Sequence, residues 1–392
     1  MYNLVALEIN EPKELANQIL TAWENSDAPL ILDPRLPKKL REKIITNLRP
    51  HLYIKQNQEP IKLPGGIPVS ENDALIIPTS GTTGDPKGVI LTHQAIKSSV
   101  KLTHKYLSFD PASDKWLLIL PPYHIGGLMV ILRSLLCNTS FEALEQVSEN
   151  SLNTKLIQGY NLTAAVGSQI NFFRELEFKA VLFGAMPTET KNQPNFIQTY
   201  GLTETCSGVV YNGVCLEGVT TKIEPETGQI FLKSPTLLRA YRNNLNDPLA
   251  VTPEGWDPKT TDGFFPTKDV GFINQFGKLE VLGRIDDVII TGGEKVWPQK
   301  VETTLKSLPG VKDVALTGLP HPKWGSIVCA LIVYKDQRYK YSYQDLKALL
   351  LNELAFYEIP KLITSVPELP KTPLGKLKRK EVNNLAKKMF NT

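Results

Sequence analysis

Thr79-Ser80-Gly81-Thr82-Thr83-Gly84-Asp85-Pro86-Lys87-Gly88 is the stretch from which the rest of the chain can be read. Five residues that are glycine or carry a small hydroxyl run together before Gly84, so backbone N–H groups can face inward without bulky side chains in the way. The hydroxyls of Thr79, Ser80, Thr82 and Thr83 add donors and Lys87 adds a positive charge, a combination suited to phosphate oxygens. It is not the Walker form, because no Gly-Lys in the chain is followed by Ser or Thr. By composition alone such a cluster is a polar loop. The residues downstream decide between the two readings.

Around this loop lie short apolar runs, each ending in a small or polar cluster. One run, 74–78, precedes the loop; 88–91 follows it, and a helix is expected over 93–106. Run 116–120 ends at Pro121-Pro122-Tyr123-His124, 163–166 at Gly167-Ser168-Gln169, 180–183 at Gly184-Ala185, and 196–199 at Tyr200-Gly201. Strands alternating with helical segments predict a largely parallel, covered sheet. Ligands of such sheets sit beyond the carboxyl ends of the strands, where these clusters fall. The first 78 residues read as a reduced α/β lead-in, with a strand at 29–33 and a basic amphipathic helix at 37–48.

From Gln229 the texture turns β-rich, at 229–233, 271–273 and 278–282, with a turn at 274–277. After Arg284 a smaller α/β unit is expected, with helices at 301–307 and 343–354 and strands at 311–319 and 326–334. The fold class is α/β: a large N-terminal domain of mixed and parallel sheets covered by helices (1–285), and a small mobile C-terminal α/β domain (286–392).

Composition sets the outer bounds. With 392 residues and 42% hydrophobic content the chain can bury a sizeable core in two or three domains. A net charge of +4 gives no reason to expect a nucleic-acid partner. Eight Lys/Arg against two Asp/Glu from Lys361 onward read as a solvated face. Cys137, Cys206, Cys215 and Cys329 form neither a CxxC nor a Cys/His pattern, so no zinc site or disulfide framework is expected, and a reducing cytoplasm fits. No signal peptide is expected from Met1-Tyr-Asn-Leu, which has neither a basic flank nor a long apolar stretch. The most apolar window, 116–137, is broken by Pro121, Pro122, His124, Gly126, Gly127 and Arg133, which argues against a membrane span.

A second chemical signal is Gln198-Thr-Tyr-Gly-Leu-Thr-Glu-Thr-Cys-Ser207. A strand ends, Gly201 turns the chain, and a hydroxyl and a carboxylate follow side by side. Nucleotide-bound Mg²⁺ takes one or two protein carboxylates, a role that suits Glu204. Asp269, in Phe264-Phe-Pro-Thr-Lys-Asp-Val-Gly271, is a carboxylate able to accept from two hydroxyls at once. Arg284, opening Gly283-Arg-Ile-Asp-Asp-Val-Ile-Ile-Thr-Gly-Gly-Glu-Lys-Val-Trp-Pro298, can reach ribose or phosphate with its fork of donors.

These stretches, with Pro370-Lys-Thr-Pro-Leu-Gly-Lys-Leu-Lys-Arg379, resemble the acyl-adenylate-forming (AMP-binding) superfamily from about Asp73 to Lys380. The resemblance implies a role for each. The loop Thr79, Ser80, Gly81, Thr82, Thr83, Gly84 and Lys87 holds ATP phosphates. Thr203 touches the α-phosphate, Glu204 holds the metal, and Tyr200, on the Gly201 turn, stacks on adenine. Gly184 and Ala185 let the base approach the backbone. Asp269 and Arg284 bind ribose, with Lys268 standing where the family has glycine. Asp286 is the hinge, Gly292 and Gly293 line the thiol passage, and Lys376 is the catalytic lysine. His124 borders the acyl pocket, for which Ser168, Gln169, Ser207 and Gly208 are further candidates.

The implied activity is an ATP-dependent acid–CoA ligase that uses ATP, Mg²⁺ and CoA with a small-molecule carboxylic acid. Thr-Glu-Thr-Cys-Ser after Gly201, together with His-Ile-Gly-Gly-Leu from His124, resembles the o-succinylbenzoate–CoA ligases of menaquinone and phylloquinone synthesis. Three alternatives stay open: another aryl- or acyl-CoA synthetase, a carrier-loading adenylation enzyme, and a non-catalytic nucleotide-binding module. The residue binding a second substrate carboxylate is not identified by the sequence.

Overall fold

A computed structural model of the chain describes residues 2–80, 86–184, 193–242, 254–336, 339–351, 353–372 and 377–390. The chain packs as two units: Met1–Thr221 with Leu232–Pro266, and Lys222–Phe231 with Thr267–Thr392.

The first unit is built on two seven-stranded sheets, each with parallel and antiparallel strands, in line with the mixed and parallel sheets expected. In one, Leu4–Glu8 pairs in parallel with Ala28–Ile31 and Leu52–Lys55, and Ala28–Ile31 with Asp73–Ser80. Helices Pro12–Glu24 and Lys38–Leu48 make the crossovers that parallel pairing requires. Leu4, Ala6, Leu30, Ile76 and Ile90 pack with Ile44 and Leu48 of the second helix. The sheet turns antiparallel at Pro86–Thr92 and Ala240–Tyr241.

The other sheet carries five parallel strands: Phe141–Ala143, Lys115–Leu118, Tyr160–Val166, Ala180–Gly184 and Phe196–Leu202. Their near-continuous apolar runs reflect burial on both faces. Ser207–Tyr211 and Val214–Cys215 extend it antiparallel. Helix Ile125–Leu136, buried from Gly127 to Ser134, packs on Lys115–Leu118 and against helices Pro12–Glu24 and His93–Leu107. A Cβ on Gly127 would lie 2.3 Å from the Pro121 carbonyl, so only glycine lets this helix start where it does.

In the second unit Phe265–Ile273 pairs antiparallel with Leu279–Arg284. A further sheet follows, of Glu294–Val296, Ile289–Thr291, Gly325–Tyr334, Val311–His321 and Leu362–Ser365. One face packs on helices Pro298–Lys306 and Tyr343–Leu350 through Val301, Leu305, Leu346 and Leu350. The other packs on helix Arg379–Phe390 through Val382 and Ala386. The helix expected at 301–307 starts earlier because Pro298 sits at its first turn, where a missing N–H costs nothing. No helix among the described residues is long and apolar enough to cross a membrane.

Candidate active site

Of residues 79–88, read as one loop, 79–80 and 86–88 are paired strand residues. Thr79 pairs with Lys87 and Ser80 with Pro86, while Gly81, Thr82, Thr83 and Gly84 lie outside the described residues. Strand pairing therefore fixes the direction in which Lys87 leaves the backbone. Its ammonium lies 3.6 Å from the centroid of the Tyr241 ring, a cation–π contact. Tyr241 reaches this position by pairing with Val89 of the strand that carries Lys87, and its hydroxyl donates to Glu204 Oε1 at 2.8 Å.

Glu204 stands in the one-turn 3₁₀ helix Thr203–Thr205, directly after the parallel strand Phe196–Leu202. The turn is held from within. Thr205 Oγ1, fully buried, accepts from Leu202 N at 2.7 Å and donates toward the carbonyls of Leu202 and Ser207. From outside, Leu238 N donates to the Glu204 carbonyl at 2.7 Å. Cys206 and Ser207 then adopt φ of 52° and 91°, a left-handed pair that costs non-glycine residues energy. A Cβ on Gly201 would sit 2.0 Å from the Ser207 carbonyl, so this close return demands glycine. Gly208 is likewise closed in, by Thr199. Tyr200, half-buried, pairs with Val210 beside this turn.

Thr203, Glu204 and Lys87 are thus gathered by two sheets, and the sequence contained no signal for Tyr241, which joins them. Among the described residues no three His, Cys, Asp or Glu come together. A single oriented carboxylate fits Mg²⁺ bound to a nucleotide, which fills its shell with phosphate oxygens and water; it does not fit zinc.

Gly184 ends its parallel strand; Ala185 lies outside the described residues. His124 is the N-cap of helix Ile125–Leu136, and its Nε2 lies 3.9 Å from Asp33 Oδ2. Asp33 comes from the lead-in and is gripped by Arg35 at 2.9 and 2.7 Å. Burial pushes the Asp33 carboxyl up, but the Arg35 bonds outweigh this and hold it below the ordinary carboxylate range. Tyr123 donates to Asn10 Oδ1 at 2.5 Å, so the lead-in braces both residues of the Tyr-His pair. Gln169 turns its Oε1 back onto Val166 N at 3.1 Å and caps its own 3₁₀ helix, Gly167–Phe173. Ser168 lies in the same turn.

Behind His124, on the same helix, Arg133 is 1% exposed. Its polar contact is Thr103 Oγ1 at 3.4 Å, its guanidinium lies 4.9 Å from the Trp116 ring, and its Nε has no partner. Burial holds the guanidinium below its ordinary pKa. No carboxylate pairs with it among the described residues. Buried charges are normally paired; here the Trp116 ring and the Thr103 hydroxyl are what face the guanidinium. In the sequence Arg133 served only to interrupt an apolar run.

In the second unit, strand register sets Asp269 opposite Arg284, and Arg284 Nη1 reaches Asp269 Oδ1 at 3.2 Å. The two expected ribose ligands are therefore neighbours. Lys268, which replaces the resembling family's glycine, takes φ of 61°, so the backbone keeps a glycine-like conformation without the glycine. Asp286 lies in the 3₁₀ turn Ile285–Asp287 with a half-exposed side chain. The next residue, Asp287, is held by Arg379 Nε at 3.3 Å. Gly292 and Gly293 form the turn after Ile289–Thr291 with φ of 60° and 88°. A Cβ on Gly292 would lie 2.9 Å from the Trp324 ring, whereas Gly293 faces open space. That exposed indole has Lys323 and Lys361 ammonium groups each 4.8 Å from its ring, an arrangement able to stack a purine and attract phosphate. Lys376 lies outside the described residues. Its flanks are fixed, with Lys371 bridged to Leu377 and ion-paired with Asp313.

Two family models match the chain: AMP-binding enzyme over residues 16–241, and the AMP-binding enzyme C-terminal domain over residues 300–376. A probable 2-succinylbenzoate–CoA ligase of Mycobacterium tuberculosis is 34% identical over 338 residues, covering 80% of this chain and 85% of the relative. The 2-succinylbenzoate–CoA ligase of Lactococcus lactis is 31% identical over 402 residues, covering 94% of this chain and 84% of the relative. In fold, the chain is similar to the o-succinylbenzoate CoA synthetase of Bacillus subtilis, solved with an acyl-adenylate. The TM-score is 0.83 at 23% identity, covering 97% of this chain and 88% of that one.

Proposed function

This chain belongs to the AMP-binding enzyme family, and from that premise we propose that it is an ATP-dependent acid–CoA ligase acting on o-succinylbenzoate. The observation that carries the reading is the convergence of Lys87 and Glu204 on Tyr241 at the phosphate hairpin.

In the first step a substrate carboxylate oxygen attacks the α-phosphorus of ATP. The new O–P bond forms as the bond to pyrophosphate breaks, leaving an acyl-adenylate. Glu204 would hold Mg²⁺, which when bound would supply neutralisation of phosphate charge. Lys87 and the hairpin hold the leaving phosphates, Thr203 the α-phosphate, and Lys376 the charge that builds at the reacting centre. Asp269 and Arg284 orient the ribose, and Tyr200 and Gly184 the adenine. Positioning supplies much of the rate, since the reaction joins two bound reactants.

In the second step the CoA thiolate attacks the activated carbonyl and AMP departs. The C-terminal part, from 286 onward, turns about Asp286 between the steps, withdrawing Lys376 and presenting Gly292 and Gly293 to the thiol. Trp324 with Lys323 and Lys361 offers a stacking and phosphate-binding face for the nucleotide end of CoA. All four cysteines are free thiols, which suits a reducing cytoplasm.

The test is ATP–pyrophosphate exchange with a panel of acids, followed by thioester formation on adding CoA. Exchange and a CoA thioester with o-succinylbenzoate are expected. Exchange with a different acid alone would keep the ligase class and discard this substrate. ATP binding without exchange on any acid would discard the enzyme reading, and exchange without a CoA thioester would point to a carrier protein.

A further inference from the structure

Lys87 and Glu204 carry opposite charges and meet the same side chain, yet no ion pair joins them among the described residues. The Lys87 ammonium lies 3.6 Å from the Tyr241 ring centroid, and Glu204 Oε1 accepts from the Tyr241 hydroxyl at 2.8 Å. We propose that Tyr241 is a positioning residue that keeps the hairpin lysine and the metal-binding carboxylate apart and aimed before nucleotide binds. The inference rests on the assignment of Glu204 to Mg²⁺.

Opposite unit charges in a half-buried site attract strongly. A direct Lys87–Glu204 pair would take the ammonium from the phosphates and a carboxylate oxygen from the metal. Tyrosine prevents this with two surfaces at once. Its ring face holds the ammonium by an attraction weak enough for a phosphate oxygen to displace. Its hydroxyl, a single donor, fixes one oxygen of Glu204 and leaves the carboxylate oriented.

Tyr241 is itself firmly mounted. It is 4% exposed, and its backbone exchanges two hydrogen bonds with Trp256, at 2.8 and 2.9 Å. The two rings stack with centroids 5.7 Å apart. The adjacent Gly255 has φ of 67°, and a Cβ there would meet the Tyr241 carbonyl at 2.5 Å, so the chain closes tightly around this residue.

Tyr241→Phe keeps the face and loses the donor; Tyr241→Leu loses both. Thermal melts establish that each variant is folded. The readouts are Mn²⁺ binding by electron paramagnetic resonance, in the presence of a non-hydrolysable ATP analogue, and ATP–pyrophosphate exchange as a function of Mg²⁺. The Phe variant should weaken Mn²⁺ binding and raise the Mg²⁺ requirement about tenfold, as loss of a metal ligand's hydrogen-bond partner does. Its KM for ATP at saturating metal should stay within about twofold. The Leu variant should also raise the ATP KM, and adding Lys87→Met to it should tighten Mn²⁺ again by releasing Glu204. The same lysine change in the parent should not tighten Mn²⁺, a contrast that a purely structural tyrosine would not produce. Parental Mn²⁺ affinity in Tyr241→Phe, or no recovery in the double variant, would overturn the role given to Tyr241. If Glu204→Gln left Mn²⁺ binding unchanged in the parent, the metal assignment itself would fall, and the role of Tyr241 with it.

Discussion

Arg133 holds a full charge at 1% exposure with one weak hydroxyl contact, an arrangement stability alone does not favour. A buried charge without a carboxylate partner bears its desolvation cost uncompensated, and an apolar side chain of similar reach removes that cost. Arg133→Met is therefore expected to leave the denaturation midpoint unchanged or higher. If the guanidinium receives the second carboxylate, the same change should raise the KM for o-succinylbenzoate at least about tenfold and leave a monocarboxylic aryl acid unaffected. An unchanged KM with both acids would remove Arg133 from the pocket. Its neighbour His104 yields a second prediction. Burial, and then the charge of Arg133, pushes the imidazole down to about 4. Trp116 donates to its Nε2 at 3.3 Å, so the ring proton belongs on Nδ1, facing Cys137 Sγ at 3.2 Å. A second proton would set one N–H against another. The folded pKa lies below the unfolded value of about 6.5, so the unfolded state binds more protons between the two. Stability is complete above about pH 6.5 and should fall toward pH 4, by up to about 1.4 kcal/mol per unit. Unfolding curves across that range should show a shallower slope in His104→Gln; equal slopes would rule out His104 as the source. Neither residue was legible as special in the sequence. An arginine or histidine on a helix is ordinarily a surface residue, and only the fold shows what surrounds it.

The hairpin of Phe265–Ile273 and Leu279–Arg284 shows what an element's geometry demands of one residue. Lys268 occupies φ of 61°, next to a register shift between Val270 and Gly271. Left-handed backbone costs a side-chain-bearing residue about 1–2 kcal/mol, partly offset by the extra freedom glycine loses on folding. Lys268→Gly should therefore stabilise the protein by about 0.5–1 kcal/mol in denaturant unfolding. A loss of stability would mean that the lysine side chain makes up for its own backbone. Most elements were readable by period and punctuation. The helix His93–Leu107 and the strands ending at Gly184 and Leu202 lie within a few residues of expectation, because apolar runs closed by glycine have few alternatives. The hairpin around Lys87 was less readable, since glycine, serine and threonine mask strand pairing that depends on a partner strand. The two-residue strand Ala240–Tyr241 has no period at all; pairing with Ile90 and Val89 defines it. Tyr241 was missed for that reason.

For the whole molecule, the packing division places Lys222–Phe231 and everything from Thr267 onward together. The proposed pivot at Asp286 concerns motion, which packing does not define. Local restraint argues for that residue. Asp287 is tied to Arg379, which also binds Glu302, so the chain after the pivot is anchored to helix Pro298–Lys306. Arg284, before it, is paired across the hairpin to Asp269. Asp286 lies between these two held residues with a half-exposed side chain and itself makes a long ion pair, 4.0 Å, with Arg284 Nη2, so rotation of the backbone there breaks one weak contact. Proline at 286 fixes φ and biases Ile285 toward extended conformations, so it restricts the pivot directly. Asp286→Pro should keep ATP–pyrophosphate exchange within about threefold and slow thioester formation from supplied acyl-adenylate at least about tenfold. Lys376→Ala should do the reverse, losing about two orders of magnitude or more in adenylation while still passing supplied adenylate to CoA. The pair is more decisive than either variant alone. A misfolded C-terminal part would damage both half-reactions in both variants, whereas opposite losses require one segment that serves the two steps in turn. Thioester formation at the parental rate in Asp286→Pro would place the pivot elsewhere.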